Sequence, residues 1–465
     1  MKLHWIKQDN PSQRLILIFS GWSVDWHLFS RYSYPTGYDV AVVWDYSHLS
    51  INILDRKKEY EETIVIAWSF GVAAFQKVYK TLPKKLNINC AIAVNGTTYP
   101  VDDSRGIPTD VFAATKAGLS EAGLVSFRRR ICGGGVRYRE LATDLNAAGN
   151  DIESLREQLG VFDPTDERGI IIGTKIDKNL WDKVFLSERD MIFPIANMKS
   201  AWSDSNAQVF ITGDSHLPDF QRIIDISIRD KSLIAKRFTT SGSTYKENAE
   251  VQQHAVDKLI AFLDIQNPSL ILEIGSGCGL LSREIARLYP DARFTWIDIA
   301  DNQPDGCKGN FIHGDAEVIV RSLLPDSFDA VVSANAVQWL HSPLRFLKNI
   351  SFILKKGGVA ALSTFAPGTF QELTELAGTT GLPYLSCEEW IKCAKAAGLT
   401  VEKAECETIT LDFKNGRELA NHLKKTGVNA LTQARETQNY NGLRQMLELR
   451  ECHLTFKPLY LILKK

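Results

Sequence analysis

Long apolar runs are missing from this chain of 465 residues. The longest are strand-sized, such as 15–19, and none approaches the roughly 20 residues of a membrane span. No membrane partner is therefore expected. Residues 1–10 lack the apolar centre of a signal peptide. An excess of either charge is missing too, since 54 Lys and Arg against 55 Asp and Glu leave a formal net charge of −1. No overall field draws such a protein to nucleic acid. The eight cysteines are scattered, and the closest pair, Cys387 and Cys393, has the spacing of neither a zinc knuckle nor a redox pair. The expectation is reduced thiols, no metal and a cytoplasmic setting. Pro- or Gly-rich linkers, internal repeats and low-complexity tracts are absent.

What is present is the composition of a globular protein, 44% hydrophobic and 23% charged, in a chain too long for one ordinary core. Apolar runs alternate with helical patterns in two series, which predicts an α/β fold twice over. Strands are expected at 15–20, 40–44, 64–67, 91–94, 183–187 and 208–212. A second series follows at 270–274, 293–298, 309–313, 330–334 and 359–363. Between 95 and about 180 the strand rhythm stops, and an Arg-rich helical stretch reads as a lid, about 97–180. The join falls near 225–236, so the expected domains are 1–225 and 232–465.

In the first domain, Ile66-Ala67-Trp68-Ser69-Phe70-Gly71 reads as a strand leading into a sharp turn and a helix. That is the pattern of a nucleophile elbow, with Ala67 in place of the usual first glycine. The turn would expose Ser69 Oγ and aim the Phe70 N–H at a reacting carbonyl. A serine hydroxyl needs a histidine to take its proton, and in this fold the order is Ser, acid, His. Only His216 lies downstream of Ser69 in this half, the others being His4, His27 and His48. Asp190, after the run 183–187, is the favoured acid, and Asp177 is the alternative. Trp22, after Ser20-Gly21, is the expected second oxyanion donor beside Phe70. Arg128, Arg129, Arg130, Arg137 and Arg139 form a local basic patch within the lid, suited to an acidic partner.

Several of these blocks together resemble the BioG family over roughly 1–225. They are the elbow, Ala93-Val94-Asn95-Gly96-Thr97, the segment 102–108, Arg129-Arg130-Ile131-Cys132-Gly133 and the segment 190–197. The resemblance implies an α/β-hydrolase with a helical lid that hydrolyses the methyl ester of pimeloyl-acyl carrier protein in biotin synthesis. Ser69 and His216 would be its nucleophile and base, and the arginines would meet the acidic carrier protein.

In the second domain, Glu273-Ile274-Gly275-Ser276-Gly277-Cys278-Gly279 reads as a strand end and a glycine-rich turn. A dinucleotide fingerprint would need glycine where Leu280 or Ser282 stands, so the spacing favours S-adenosylmethionine over NAD. Glu273 would order the loop. Asp298, about 20 residues after the glycines, could accept the ribose hydroxyls. Asp315 with Ala316 could meet the adenine, and Asn335 follows the fourth strand. A carboxylate acceptor is already ionised at neutral pH. Alignment and exclusion of water therefore suffice, and no general base is expected. Arg237-Phe238, the segments 245–252, 333–340, 364–370 and 422–429, and Leu454-Thr455-Phe456 resemble the BioC family over roughly 232–465. That resemblance implies a class I S-adenosylmethionine-dependent methyltransferase with a Rossmann-like fold, acting on the free carboxyl of malonyl-acyl carrier protein. Tyr245 is a further residue that could close over the cofactor. Rival readings are a general carboxylesterase fused to a small-molecule methyltransferase, or an inactive hydrolase serving as a carrier-protein dock.

Overall fold

Runs of β-branched and aliphatic residues without polar alternation form strands buried on both faces, as parallel sheets require. The computed structural model describes residues 1–8, 12–49, 59–149, 151–304, 306–377, 382–426 and 440–465, without the side chains of 241–248 and 440–443. The chain divides into two compact units, Met1–Ile224 and Asp225–Lys465. No helix among the described residues is long and apolar enough to cross a membrane.

The first unit is built on β1 (Lys2–Lys7), β2 (Arg14–Phe19), β3 (Tyr38–Trp44), β4 (Glu62–Trp68), β5 (Ile88–Val94), β6 (Lys183–Ser187) and β7 (Gln208–Thr212). They form one sheet in the order β1-β3-β2-β4-β5-β6-β7, parallel except for β1. Between β5 and β6 the lid folds as helices Thr109–Ala117, Glu121–Ile131, Gly135–Ala147 and Ile152–Phe162. The helix Phe70–Val78 follows β4 directly and packs against the sheet through Val72, Ala74, Phe75 and Val78.

The second unit contains β8 (Leu270–Ile274), β9 (Arg293–Asp298), β10 (Asn310–His313), β11 (Phe328–Ala334), β12 (Leu354–Phe365), β13 (Thr400–Cys406), β14 (Ile409–Phe413), β15 (Cys452–Phe456) and β16 (Pro458–Lys464). Seven of them form a sheet in the order β10-β9-β8-β11-β12-β16-β13, in which β16 runs antiparallel between two neighbours. The remaining two, β14 and β15, pair separately. The topology reverses between β8 and β11, and the carboxyl ends on either side of that switch are where an open parallel sheet binds ligand. The sequence reading placed no strand after 363 and none before 15. β1 and β13 are edge strands whose charged residues hide their period, and β16 is apolar up to its exposed last residue, Lys464, because both its faces are covered.

Candidate active sites

At the end of β4 the chain must turn sharply to enter the helix Phe70–Val78. Ser69 occupies the turn with φ +57° and ψ −127°, a conformation few side-chain-bearing residues adopt. The crossing is tight, since a Cβ on Gly71 would overlap the Phe19 carbonyl oxygen and only glycine fits there. Ala67, two residues before the serine, is fully buried between Phe19 of β2 and Ala93 of β5. The serine is thereby fixed at the carboxyl edge of the central strand.

His216 lies beyond β7, and its Nε2 is 3.0 Å from Ser69 Oγ. Its Nδ1 is 2.8 Å from Asp190 Oδ2. The tautomer that fits donates from Nδ1–H to the carboxylate and leaves Nε2 to accept the serine proton. Asp190 is fixed in turn, since its Oδ1 accepts from the Ile192 and Phe193 N–H groups at 2.7 and 2.9 Å. Asp177 is elsewhere, hydrogen-bonded to the Tyr79 hydroxyl and to the Asn179 N–H. Ser69 and His216 are only 5% and 1% exposed. Gly21 abuts the serine, since a Cβ there would lie 3.1 Å from Ser69 Cβ. Among the described residues, neither the Trp22 nor the Phe70 backbone N–H has a protein acceptor. The Trp22 indole serves packing as well, donating to the Leu155 carbonyl at 3.0 Å and meeting Phe127 edge-on.

Two residues that sequence reasoning did not single out hold the base. Asn95 Nδ2 donates to the His216 and Ser215 carbonyls, and Trp68 Nε1 donates to the same His216 carbonyl at 2.9 Å. Both follow or end strands beside the elbow, and that position is the only signal that could have found them.

The basic patch is corrected by the structure. Arg128 is 0% exposed, and its guanidinium donates to Asn146 Oδ1, the Ser23 carbonyl and the Gly149 carbonyl. It ties the lid together and presents no charge to a partner. Helical spacing puts it in line with Leu124 and Ile131, the buried stripe of its helix. Arg129 and Arg139 are exposed, and Arg130 is half-buried. Arg137 is turned inward onto the Pro218 carbonyl at 2.8 Å.

In the second unit, a cleft opens at the carboxyl ends of the parallel strands. Its wall includes Glu273, Gly275, Gly277, Asp298, Asp315, Ala316 and Asn335. Gly279 is not part of that wall and begins the helix Leu280–Leu288 behind it. At Gly277, φ is +50° and a Cβ would project into open space, so a bare backbone lines this stretch. Asp298 closes the turn, accepting from Gly277 N–H and Ala300 N–H, each at 2.7 Å. Each of its oxygens retains a further lone pair. Glu273 accepts from Ser282 Oγ at 2.6 Å, and burial pushes its carboxyl up to about 8. Burial raises Asp298 as well. Asp315 caps the following helix and sits 3.4 Å from Lys231 Nζ. Tyr245 belongs to a stretch whose side chains lie outside the described residues.

The cleft fits S-adenosylmethionine on its own chemistry. Buried polar atoms along its wall, Ser276 Oγ and Asn335 Oδ1, have no protein partner among the described residues. A polar ligand would satisfy them. Asp298 and Glu273 outnumber the one cation of the wall, Lys231, which sits beside Asp315, and so suit a ligand that carries positive charge.

Fold and sites together define a serine hydrolase joined in one chain to a class I S-adenosylmethionine-dependent methyltransferase. Comparison with known proteins narrows both halves. A family described as pimeloyl-ACP methyl esterase BioG matches residues 1–225, and one described as a methyltransferase domain matches 246–404. A malonyl-acyl-carrier-protein O-methyltransferase of Bacteroides fragilis (strain 638R) is 30% identical over 481 residues, covering 97% of this chain and 92% of the relative. One from Bacteroides thetaiotaomicron is 32% identical over 266 residues, 51% of this chain and 98% of the relative. Among solved structures, BioG from Haemophilus influenzae is 27% identical and covers 47% of this chain and 94% of its own, with a TM-score of 0.40. The chain belongs to the malonyl-acyl-carrier-protein O-methyltransferase family.

Proposed function

We propose that this protein is a bifunctional enzyme of biotin synthesis acting in the cytoplasm. Residues 232–465 methylate the free carboxyl of malonyl-acyl carrier protein, and residues 1–225 hydrolyse pimeloyl-acyl carrier protein methyl ester. The observation that carries the reading is the hydrogen-bonded Ser69, His216 and Asp190, present in a chain that also holds an acidic, adenosyl-sized cleft.

In the esterase, Ser69 Oγ attacks the ester carbonyl while His216 Nε2 takes its proton. Asp190 keeps the imidazole in the needed tautomer and stabilises the cation that forms. The Trp22 and Phe70 N–H groups are the donors for the developing oxyanion. His216 then hands its proton to the leaving methoxide, methanol departs, and a water activated by the same imidazole releases the acid. In the methyltransferase, S-adenosylmethionine supplies a methyl group on a positively charged sulfur. Asp298 would hold the ribose hydroxyls, Asp315 with Ala316 would meet the adenine, and the bare backbone at Gly277 would let the methionine part approach. No proton needs to move, because the acceptor is already a carboxylate.

Methylation explains why both halves serve one route. A free carboxylate is expensive to bury unpaired in the apolar channels of chain elongation. The methyl ester removes that charge until the chain is long enough, and the esterase restores it. The arginines left exposed, Arg129 and Arg139, suit an acidic carrier protein. The test is complementation of biotin-requiring bacteria that lack either step. The full chain should rescue both strains. Ser69→Ala should rescue only the strain lacking the methyltransferase, and in vitro it should lose ester hydrolysis by at least about 10³-fold with methylation intact. Undiminished hydrolysis by Ser69→Ala would overturn the assignment.

A further inference from the structure

Beside the cofactor cleft lies a second, smaller cavity. The two share Phe238, Asn335 and Trp339 as a common wall. Its remaining lining includes Gln252, Gln338, Phe365, Tyr384 and Thr426. The division of charge between the two is sharp. The cofactor cleft carries Glu273, Asp298 and Asp315 with one cation, Lys231, whereas no Asp or Glu among the described residues lines the smaller cavity. An anion entering the second therefore meets no described carboxylate.

Three side-chain hydrogen-bond donors of the smaller cavity, those of Gln252, Trp339 and Tyr384, have no protein partner among the described residues. Trp339 Nε1 is buried without a partner, and the Tyr384 hydroxyl likewise has no protein partner among the described residues. The other polar groups are partly occupied. Gln338 Nε2 donates to the Asn335 carbonyl at 2.6 Å, and Thr426 Oγ1 donates to the His422 carbonyl at 2.9 Å. Burial raises the Tyr384 phenol well above its ordinary range, with the Arg229 charge opposing, so at neutral pH the group is a donor.

We infer that this cavity receives the acceptor carboxylate and that the Tyr384 hydroxyl, with Trp339 Nε1, is the neutral donor set that holds it. The inference rests on the methyltransferase reading above. Neutral donors suit the reaction. They fix one carboxylate oxygen by charge-assisted hydrogen bonds and leave the other free to attack. A cation in direct contact would hold the carboxylate's charge more tightly and lower its nucleophilicity. In the step itself the free oxygen forms a C–O bond to the methyl carbon as the C–S bond breaks. The bonding pair of that C–S bond goes to sulfur, and no proton is exchanged. The neutral ester that results has lost its charge and with it most of its hold on Tyr384 and Trp339.

Tyr384→Phe is the informative variant, because Tyr384 lines only the smaller cavity and the ring contact to Phe365 is kept. With malonyl-acyl carrier protein as acceptor, the expected result is a KM raised about 10- to 100-fold, the range for losing a hydrogen bond to a charged group. The change in kcat should stay within about threefold. The dissociation constant for S-adenosylmethionine, by calorimetry, should be unchanged. An unchanged acceptor KM would overturn the assignment of Tyr384. A loss of S-adenosylmethionine binding in the variant would overturn it too, by showing a structural role. If the unsubstituted protein methylates no malonyl thioester, the functional reading itself fails, and the carboxylate site falls with it.

Discussion

A cofactor with a sulfonium and an ammonium group must enter a cleft where one wall carboxyl holds its proton. Burial lifts Glu273 to about 8, outweighing the hydrogen bond from Ser282 and reinforced by the nearby Asp298 charge. A cationic ligand favours the ionised form, so binding at neutral pH should expel a proton. For an acid of pKa about 8, the ionised fraction is about 0.01 at pH 6 and about 0.09 at pH 7. The ligand's own amino group, near 7.8, stays largely protonated over that interval. The association constant for S-adenosylmethionine should therefore rise about eightfold from pH 6 to pH 7, crest near pH 8 and then fall. Calorimetry at pH 6.5 in two buffers of different ionisation enthalpy should find close to one proton released per ligand bound. Glu273→Gln mimics the protonated carboxyl, so it should bind more weakly at pH 8 and show no rise between pH 6 and 7. Equal wild-type affinities at pH 6 and 7 would show that Glu273 is already ionised or does not feel the ligand.

The same shift has a stability sign. Because the folded-state pKa of Glu273 lies above its unfolded value, its contribution is fully present below about pH 4.5 and is lost as pH rises to about 8. Without ligand, Glu273→Gln should melt at about the wild-type temperature at pH 5 and clearly higher at pH 8, and equal melting at both would contradict this. Asp190→Asn should lower esterase kcat by about 10⁴-fold through loss of the imidazole's partner. Asp177→Asn, which touches Tyr79 instead, should leave it within a few-fold, and the reverse ranking would transfer the acid role. Arg128→Ala leaves the Ser23 and Gly149 carbonyls without their buried donor and should destabilise the hydrolase unit by about 3 kcal/mol in thermal unfolding. Arg129→Glu with Arg139→Glu should leave stability and small-ester hydrolysis intact while raising KM for the carrier-protein ester, an effect that added salt erases. An unaltered KM would remove these arginines from docking.

Chemistry written into local order was legible. Ser69 announces itself by a strand that ends in a tight turn, and His216 by being the only histidine of the first half downstream of that serine. The four cofactor positions follow successive strands, β8 to β11, whose apolar runs are plain. The acid was ambiguous because Asp177 and Asp190 both follow apolar stretches. Topology separates them, since Asp190 comes after the carboxyl end of β6 and Asp177 comes before its start. Arg128 was misread because charge was counted by proximity in sequence. The helical period, which aligns it with Leu124 and Ile131, marks it as buried. Asn95 and Trp68 were not legible as supports of His216, because the two contacts span 121 and 148 residues of sequence and depend on strand order. Tyr384 lay equally hidden, outside any motif, and only the shared wall of two cavities brings it forward.

One chain that both makes and breaks methyl esters faces a futile cycle unless its esterase ignores the short ester its other half has just made. The hydrolase site supplies a physical basis for that discrimination. Phe70, next to the nucleophile, stacks on Phe162 of the lid at 4.2 Å and lies near Phe112 and Phe193. Phe193 in turn stacks over the His216 ring at 5.9 Å. The surroundings of Ser69 are therefore aromatic and largely closed to water. A pimeloyl chain carries four more methylenes than a malonyl chain, and each is worth about 0.8 kcal/mol when buried. The sum, about 3 kcal/mol, is a preference of over a hundredfold for the longer ester. The pimeloyl methyl ester should accordingly be hydrolysed with a kcat/KM over a hundredfold above that of the malonyl methyl ester, and equal values would remove chain length as the signal that elongation is done.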